Sequence, residues 1–128
     1  MNCRVVAISA FRKDAKKLLK KYASLKSELA FLGNQLLENP RLGKHIHENT
    51  YKIRLSVKSK GKGKSGGLRV ITHIVEIELQ VEEKENEQDI TVFLVAIYDK
   101  SEMEDISESK LKALIQEVNS ELDNEENA

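Results

Sequence analysis

The sequence has few of the residues that build disulfide frameworks, zinc sites and aromatic stacking surfaces. It contains one cysteine, one proline and no tryptophan, and aromatic residues make up 5% of its 128 positions. The single cysteine, Cys3, excludes a disulfide within the chain, and no C-x-x-C motif indicates structural zinc. So few aromatics are too few to read single-stranded RNA by stacking. Charge and shape would therefore dominate any contact with RNA.

Long hydrophobic runs are also missing. The apolar stretch near the start covers only Val5 to Ile8, which is too short for a signal peptide, and nothing approaches a membrane-spanning length. The length suits one ordinary domain. We therefore expect a single cytoplasmic domain over residues 1–128, with a disordered tail from about residue 123 and with no membrane partner, cofactor or metal.

The net charge is zero, but the two halves of the chain are strongly opposed. Residues 1–70 hold 17 of the 21 lysines and arginines and four acids, which gives +13, and residues 71–128 hold four basic residues and 17 acids, which gives −13. Such asymmetry indicates either a surface that binds a polyanion or an acidic segment that leaves the basic one free. A neutral total is therefore no argument against a nucleic-acid partner.

Hydrophobic periodicity predicts an α+β fold with a small, mostly antiparallel sheet, an N-terminal helical hairpin and a C-terminal helix. Two caps are expected, Ser9 for the first helix and a capping box of Asp105 and Glu108 for the last. The segment 41–50 is expected to be a loop, and the helices are expected on one face of the sheet. The predicted strands are Cys3–Ile8, Tyr51–Lys58, Leu68–Val81 and Ile90–Tyr98, and the predicted helices are Phe11–Tyr22, Ser24–Glu38 and Ile106–Leu122.

The most informative feature is a run of cations along the predicted sheet. Strand alternation places Lys52, Arg54 and Lys58 on one face, and Arg69 begins the partner strand. Between the strands, a glycine-rich loop carries Lys60, Lys62 and Lys64. Lone lysines on a strand are usually a solvated face, but cations at alternate positions of a rigid sheet can hold phosphate groups in fixed geometry.

The other motifs give weaker evidence about function. The triplet Gly63-Lys64-Ser65 resembles the end of a P-loop, but position 58, where that motif needs glycine, is lysine, and a strand follows where it needs a helix. His45 and His47 are predicted to be surface histidines, and His73 and Cys3 are predicted to be structural.

Several segments together resemble the RelE/HigB-like toxins of bacterial type II toxin–antitoxin systems. The resemblance is carried by Tyr-Lys-Ile-Arg-Leu (51–55), by Gly-Lys-Gly-Lys-Ser-Gly-Gly-Leu-Arg-Val-Ile (61–71) and by Val-Phe-Leu-Val-Ala-Ile-Tyr-Asp-Lys-Ser-Glu (92–102). It extends over most of the chain, from the region of Phe11 to the last helix. It implies a ribosome-dependent, metal-independent mRNA endonuclease that inhibits translation, in which the ribose 2′-OH attacks the adjacent phosphate.

The resemblance also implies roles for particular residues. Lys52 and Arg54 match the two basic positions of the first sheet strand, Arg69 the arginine after the glycine turn, and Lys100 the basic residue that ends the last strand. Lys58, Lys60, Lys62 and Lys64 would then contact RNA. Several RelE members place a tyrosine a few residues beyond the last basic position, where this chain has Glu104-Asp105-Ile106. Either the HigB-like branch dispenses with that group or activity is weak.

Three functions remain open at this point. The first is the endonuclease, neutralised by a cognate antitoxin of helix-turn-helix type that shields the basic surface. The second is a non-catalytic inhibitor of the ParE type acting on DNA gyrase, and the third is a ribosome- or RNA-binding module. The acids of residues 82–89 and of the C-terminal helix are expected to lie away from Lys52, Arg54 and Arg69, because pairing with them would neutralise the site internally.

Overall fold

A computed structural model describes residues 2–60, 67–79 and 87–126, which form an α+β fold with a five-stranded mixed sheet and three α-helices. In these segments no helix is both long enough and apolar enough to cross a membrane. The elements are β1 (Asn2–Ala7), α1 (Ser9–Lys21), α2 (Leu25–Glu38), β2 (Lys44–His47), β3 (Thr50–Leu55), a 3₁₀ turn (Lys58–Lys60), β4 (Leu68–Leu79), β5 (Glu87–Asp99) and α3 (Glu108–Glu126).

The strand order is β1-β5-β4-β3-β2. β5 pairs with β4, β4 with β3 and β3 with β2, all antiparallel. The predicted antiparallel pairing is thus confirmed for β3, β4 and β5. β1 is the exception, because it pairs parallel to β5 at the other edge. The first strand of the chain therefore depends on the last one for its hydrogen bonds.

Segments that adjoin the helices reach both faces of the sheet, whereas the helices were predicted on one face. On one face, the α1–α2 connection reaches β5 through Tyr22, whose hydroxyl donates to the Asp99 carboxylate at 3.1 Å. On the other face, the loop before α3 reaches Lys52 through Asp105. Fully buried Leu25, Leu32 and Leu36 of α2, Leu68 and Val70 of β4, Val92 and Phe93 of β5 and Val118 of α3 form the centre of the core.

Both predicted helix caps are wrong, and the actual donors and acceptors explain why. The residue before α1 is Ile8, and the N–H groups of Ser9 and Ala10 donate instead to the carboxylates of Glu121 and Glu117 in α3, at 3.4 and 3.2 Å. α3 is capped by Ser107, whose hydroxyl accepts from the N–H of residue 110 at 3.2 Å. Carboxylates at a helix N-terminus also favour the helix dipole.

Several boundaries differ from the prediction. The segment 41–50 contains a strand, β2, joined to β3 by a two-residue turn in which Asn49 has a positive φ of 57°. β3 ends at Leu55, because the backbone N–H groups of Lys58 and Ser59 turn away to donate to the side chains of Glu28 and Ser24 in and beside α2, at 2.8 and 2.9 Å. β5 begins at Glu87, within the predicted turn 82–89, and α3 continues to Glu126, beyond the predicted start of a disordered tail at 123.

Candidate functional site: a cationic cleft on the sheet

Four sequence-predicted residues meet in one open cleft of about 430 Å³ on the face of the sheet that Asp105 reaches. Lys52 and Arg54 come from β3, Arg69 comes from β4, and Lys100 follows the end of β5. The cleft, called here the cationic cleft, is lined by Gly43, Lys44, Lys52, Arg54, Arg69, Lys100 and Glu104. Five of these seven residues are basic and one is acidic, so the lining attracts anions.

Strand register brings the cations together. Directly paired residues of neighbouring antiparallel strands project on the same face, and the structure pairs Lys44 with Lys52 and Arg54 with Arg69. Arg69 is in turn opposite Tyr98 on β5, so Lys100, two residues further along, follows on the same side. Three adjacent strands and the end of β5 thus deliver cations to one place.

Arg69 is the least expected member of this group, because it is only 4% exposed. Its described hydrogen bond runs from a guanidinium nitrogen to the carbonyl of Leu68 at 3.3 Å. No carboxylate among the described residues pairs with it, and its cross-strand neighbour is another arginine, Arg54. A buried charge without an opposite partner lowers stability, and so do like charges directly opposite each other. Such an arrangement is typical of a site shaped for an anionic ligand.

Gly43 allows the sheet to form the wall of the cleft. Its φ is +104°, a conformation that L side chains rarely adopt. A β-carbon there would lie 2.6 Å from the carbonyl oxygen of Lys52 and 2.8 Å from Cγ1 of Ile53. Only glycine therefore lets β2 approach β3 closely enough to place Lys44 beside Lys52.

The end of β5 is fixed by a buried carboxylate. Asp99 is 3% exposed and accepts hydrogen bonds from the Tyr22 hydroxyl and from both the backbone N–H and the hydroxyl of Ser101. The backbone carbonyl of Asp99 accepts from Glu102 and Met103 as well. Lys100 lies within this bonded turn, so its backbone is held at the rim of the cationic cleft.

Two acids of the loop before α3 approach the cleft, although only the acids of residues 82–89 and of the C-terminal helix were expected to lie away from it. The Asp105 carboxylate lies 3.6 Å from the ammonium of Lys52, and Glu104 lines the cleft. By contrast, Glu117 and Glu121 of α3 lie at the start of α1, as their bonds to its N–H groups show. The cleft is thus partly neutralised at Lys52, while Arg54 and Arg69 have no acid partner among the described residues.

Of the predicted RNA-binding lysines, Lys58 is described with its side chain, and it is not among the residues that line the cleft. Lys58 was expected beside Arg54 on the face of the strand, and that prediction is wrong because β3 ends before it and its backbone is bonded to α2. Lys60 ends the 3₁₀ turn. Lys62 and Lys64 lie outside the described residues.

Tyr98 lies on the side of the cleft but is closed off from it. Its hydroxyl is buried, with the Asp105 carboxylate and the backbone of Ile106 beside it. Burial raises the pKa of Tyr98, the negative charge of Asp105 raises it further, and Arg69 lowers it. Tyr98 is also not among the residues that line the cleft.

The remaining candidates have structural surroundings. His73 packs at the β3–β4 pairing, and its Nδ1 lies 2.9 Å from the hydroxyl of Thr50, while burial lowers its pKa. The Cys3 thiol donates to the carbonyl of Leu36 at 3.8 Å, and burial raises its pKa. Within residues 2–60, 67–79 and 87–126, no group of three or more histidine, cysteine or acidic residues could hold a metal ion.

Sequence reasoning identified Lys52, Arg54, Arg69 and Lys100 but missed three residues of the cleft. Gly43, Lys44 and Glu104 fall in segments without hydrophobic periodicity, and no long-range pairing could be inferred for them. Gly43 itself was an available signal, since a glycine just before a short His-Ile-His segment can begin an edge strand. No model of a known protein family matches the chain.

Proposed function

We propose that this protein binds RNA phosphates in the cationic cleft and cleaves messenger RNA on the ribosome, as the RelE/HigB-like toxins do. The observation that carries the proposal is Arg69, which is 4% exposed, lies opposite Arg54 and has no carboxylate partner among the described residues. Two guanidiniums can bind one phosphate through several charge-assisted hydrogen bonds. An anion at this point would relieve both the buried charge and the repulsion between the two arginines.

The geometry supports a division of labour among the cations. Arg69 and Arg54 would stabilise the charge that develops on the non-bridging oxygens when the 2′-oxygen bonds to phosphorus and the bond to the 5′-oxygen breaks. Lys52, already held against a carboxylate, would position the phosphate. Lys100, at the rim, would give its proton to the departing 5′-oxygen, and the proton of the 2′-OH would pass to solvent or to Glu104, the one carboxylate among the lining residues.

The proposal also accounts for the small fold and its α+β architecture, which is compatible with a RelE-like domain. An open, shallow cleft cannot enclose a substrate by itself, so a second body has to hold the message in place. The ribosome fills that role in the proposal, and a cognate helix-turn-helix antitoxin would cover the same cations in the resting cell.

Primer extension on translated messages tests cleavage directly. We expect purified protein with ribosomes and mRNA to yield new 5′ ends, and we expect Arg54→Gln and Arg69→Ala each to lower the cleavage rate about 10²- to 10³-fold, the usual loss for one donor to a developing oxyanion. Lys112→Gln, an exposed lysine of α3 paired only with Glu108 among the described contacts, is the matched control and keeps the wild-type rate. Because Arg54 is exposed, Arg54→Gln should fold like wild type, and a loss of cleavage in this variant reports on function and not on folding.

A second candidate is an RNA-binding module without cleavage. It is favoured by the burial of the Tyr98 hydroxyl and by the lining of the cleft, which contains no histidine. In that case the messages stay intact, while the affinity for RNA still falls in Arg54→Gln. Intact messages together with unchanged affinity would contradict both candidates, and DNA damage in cells that express the protein would indicate a gyrase inhibitor instead.

A further inference from the structure

The acidic residues just before α3 lie next to the basic residues of the cationic cleft. Oδ1 of Asp105 lies 3.6 Å from Nζ of Lys52. The Lys52 side chain is 24% exposed, whereas the Asp105 side chain is 64% exposed, so the lysine belongs to the wall and the carboxylate reaches it from the solvent side. A carboxylate in that position has the same sign of charge as a phosphate oxygen and contacts the same ammonium.

We infer that Asp105 is a built-in competitor for phosphate, which holds Lys52 in the empty site and is displaced when an RNA phosphate binds. The inference rests on the proposed function, since it concerns how the same cleft is regulated. Competition differs from a catalytic or purely structural role for Asp105 in the predicted effect of a substitution on RNA affinity. If Asp105 competes with phosphate, removing its charge strengthens RNA binding.

The local structure does not require this carboxylate to stay on Lys52. α3 is capped by Ser107, so Asp105 is not needed to start the helix. Besides Lys52, the carboxylate accepts from the N–H of Ile106 at 2.9 Å and lies beside the hydroxyl of Tyr98. An exposed ion pair of this kind is worth little by itself, so a phosphate with two nearby arginines can replace it.

Glu104 works in the same direction. It lines the cleft beside Arg54, Arg69 and Lys100, so an anion that enters meets repulsion from two consecutive acids. An anion with a single charge cannot offset this repulsion, whereas a polyanion that also contacts Arg54 and Arg69 can. The two acids thus make the cleft selective for ligands with more than one phosphate.

A matched pair of variants tests the inference. Asp105→Asn removes the charge and keeps the oxygen that accepts from Ile106, while Glu102→Gln removes a charge from the same loop where it pairs with Lys21 at 3.8 Å, away from the cleft. The probe is a fluorescein-labelled single-stranded RNA of mixed sequence, titrated at several salt concentrations. We expect Asp105→Asn to raise the affinity about two- to fivefold, the range for an exposed pair, and Glu102→Gln to leave it near wild type.

The salt dependence gives a second readout that a structural role would not change. Repulsion between Asp105 and the incoming phosphate weakens as salt is added, and this opposes the normal loss of affinity. Asp105→Asn should therefore steepen the plot of log affinity against log salt by up to about 0.7, the contribution of one phosphate on a single strand. In a Lys52→Gln background the same substitution should have a smaller effect on the affinity, because the ion pair that it breaks is already absent, and the part due to repulsion should remain.

The possible outcomes distinguish competition by Asp105 from the other roles it could have. Equal behaviour of Asp105→Asn and Glu102→Gln would refute competition, and a weaker affinity in Asp105→Asn would mean that Asp105 positions Lys52 for binding. If Arg54→Gln leaves the affinity for RNA unchanged, the proposed function itself fails and the inference fails with it. If Arg54→Gln weakens binding but Asp105→Asn has no effect, only the inference is lost.

Discussion

Replacing Gly43 by alanine should destabilise the protein and disturb the cationic cleft at the same time. The added methyl group would lie 2.6 Å from the carbonyl oxygen of Lys52, a backbone atom that cannot move without shifting β3. The φ of +104° adds conformational strain, of the order of 1–3 kcal/mol. The smaller entropy of the unfolded alanine chain returns about 0.4–1 kcal/mol of this loss.

Gly33 provides the matched control. It lies within α2, and a β-carbon built on it meets nothing within 4 Å. Gly33→Ala should therefore stabilise the fold by about 0.5–1 kcal/mol through helix propensity. The same chemical change should thus have opposite signs at two positions of one small protein.

Urea denaturation followed by circular dichroism measures both variants. We expect the unfolding midpoint to fall for Gly43→Ala and to rise for Gly33→Ala, with similar slopes, and we expect the RNA affinity to fall only in Gly43→Ala because Lys52 moves with its carbonyl. Shifts of the same sign in both variants would refute the assignment of a left-handed conformation and a close approach at Gly43. If Gly43→Ala is destabilised but keeps its RNA affinity, the position of β2 beside β3 matters for stability and not for RNA binding.

Two further predictions concern ionisable groups that are buried or partly buried. Arg69→Met should raise the free energy of unfolding by about 1–2 kcal/mol, because it removes a buried charge that faces Arg54 and has no acidic partner among the described residues. The same substitution should abolish RNA binding. A lower free energy of unfolding in urea denaturation would instead show that the contacts of the guanidinium stabilise the fold. Because burial lowers the pKa of His73, the folded protein favours its neutral form, so stability should decline as the pH falls below about 6.5, the value in an unfolded chain. Urea midpoints between pH 5 and 7.5 should show this decline in wild type and a weaker one in His73→Gln, whereas exposed His45→Gln should keep the wild-type decline.

Alternation along strands was the most reliable guide to the candidate site. It placed Lys52 and Arg54 on one face and suggested that Arg69 joins them, and the structure pairs Arg54 directly with Arg69. Lys100 was placed in the site only by the resemblance, which matches it to the basic residue that ends the last strand. The inferences about Lys52, Arg54 and Arg69 need only the two-residue period of a strand and the order of neighbouring hairpin strands.

What the sequence could not supply was contact between distant segments. The end of β3 is set by Glu28 and Ser24, which lie about thirty positions earlier, so alternation alone extended the strand too far, to Lys58. The α1 cap comes from α3, more than one hundred positions away. β2 was missed because four residues of an edge strand are too few to show a period. Contacts of this kind are set by the tertiary fold, and the local hydrophobic pattern does not predict them.

The parallel pairing of β1 with β5 has a consequence for the order in which the protein can be built. During synthesis the first strand emerges early, but its hydrogen-bond partner, residues 89–94, emerges only after three quarters of the chain. The sheet can therefore close only late, and long-range pairing of this kind slows folding. A nascent chain still attached to the ribosome that makes it would lack the last wall of its cleft, because Lys100 follows that same strand. Under the proposed function, the nascent chain would thus lack a complete site while its own message is being read.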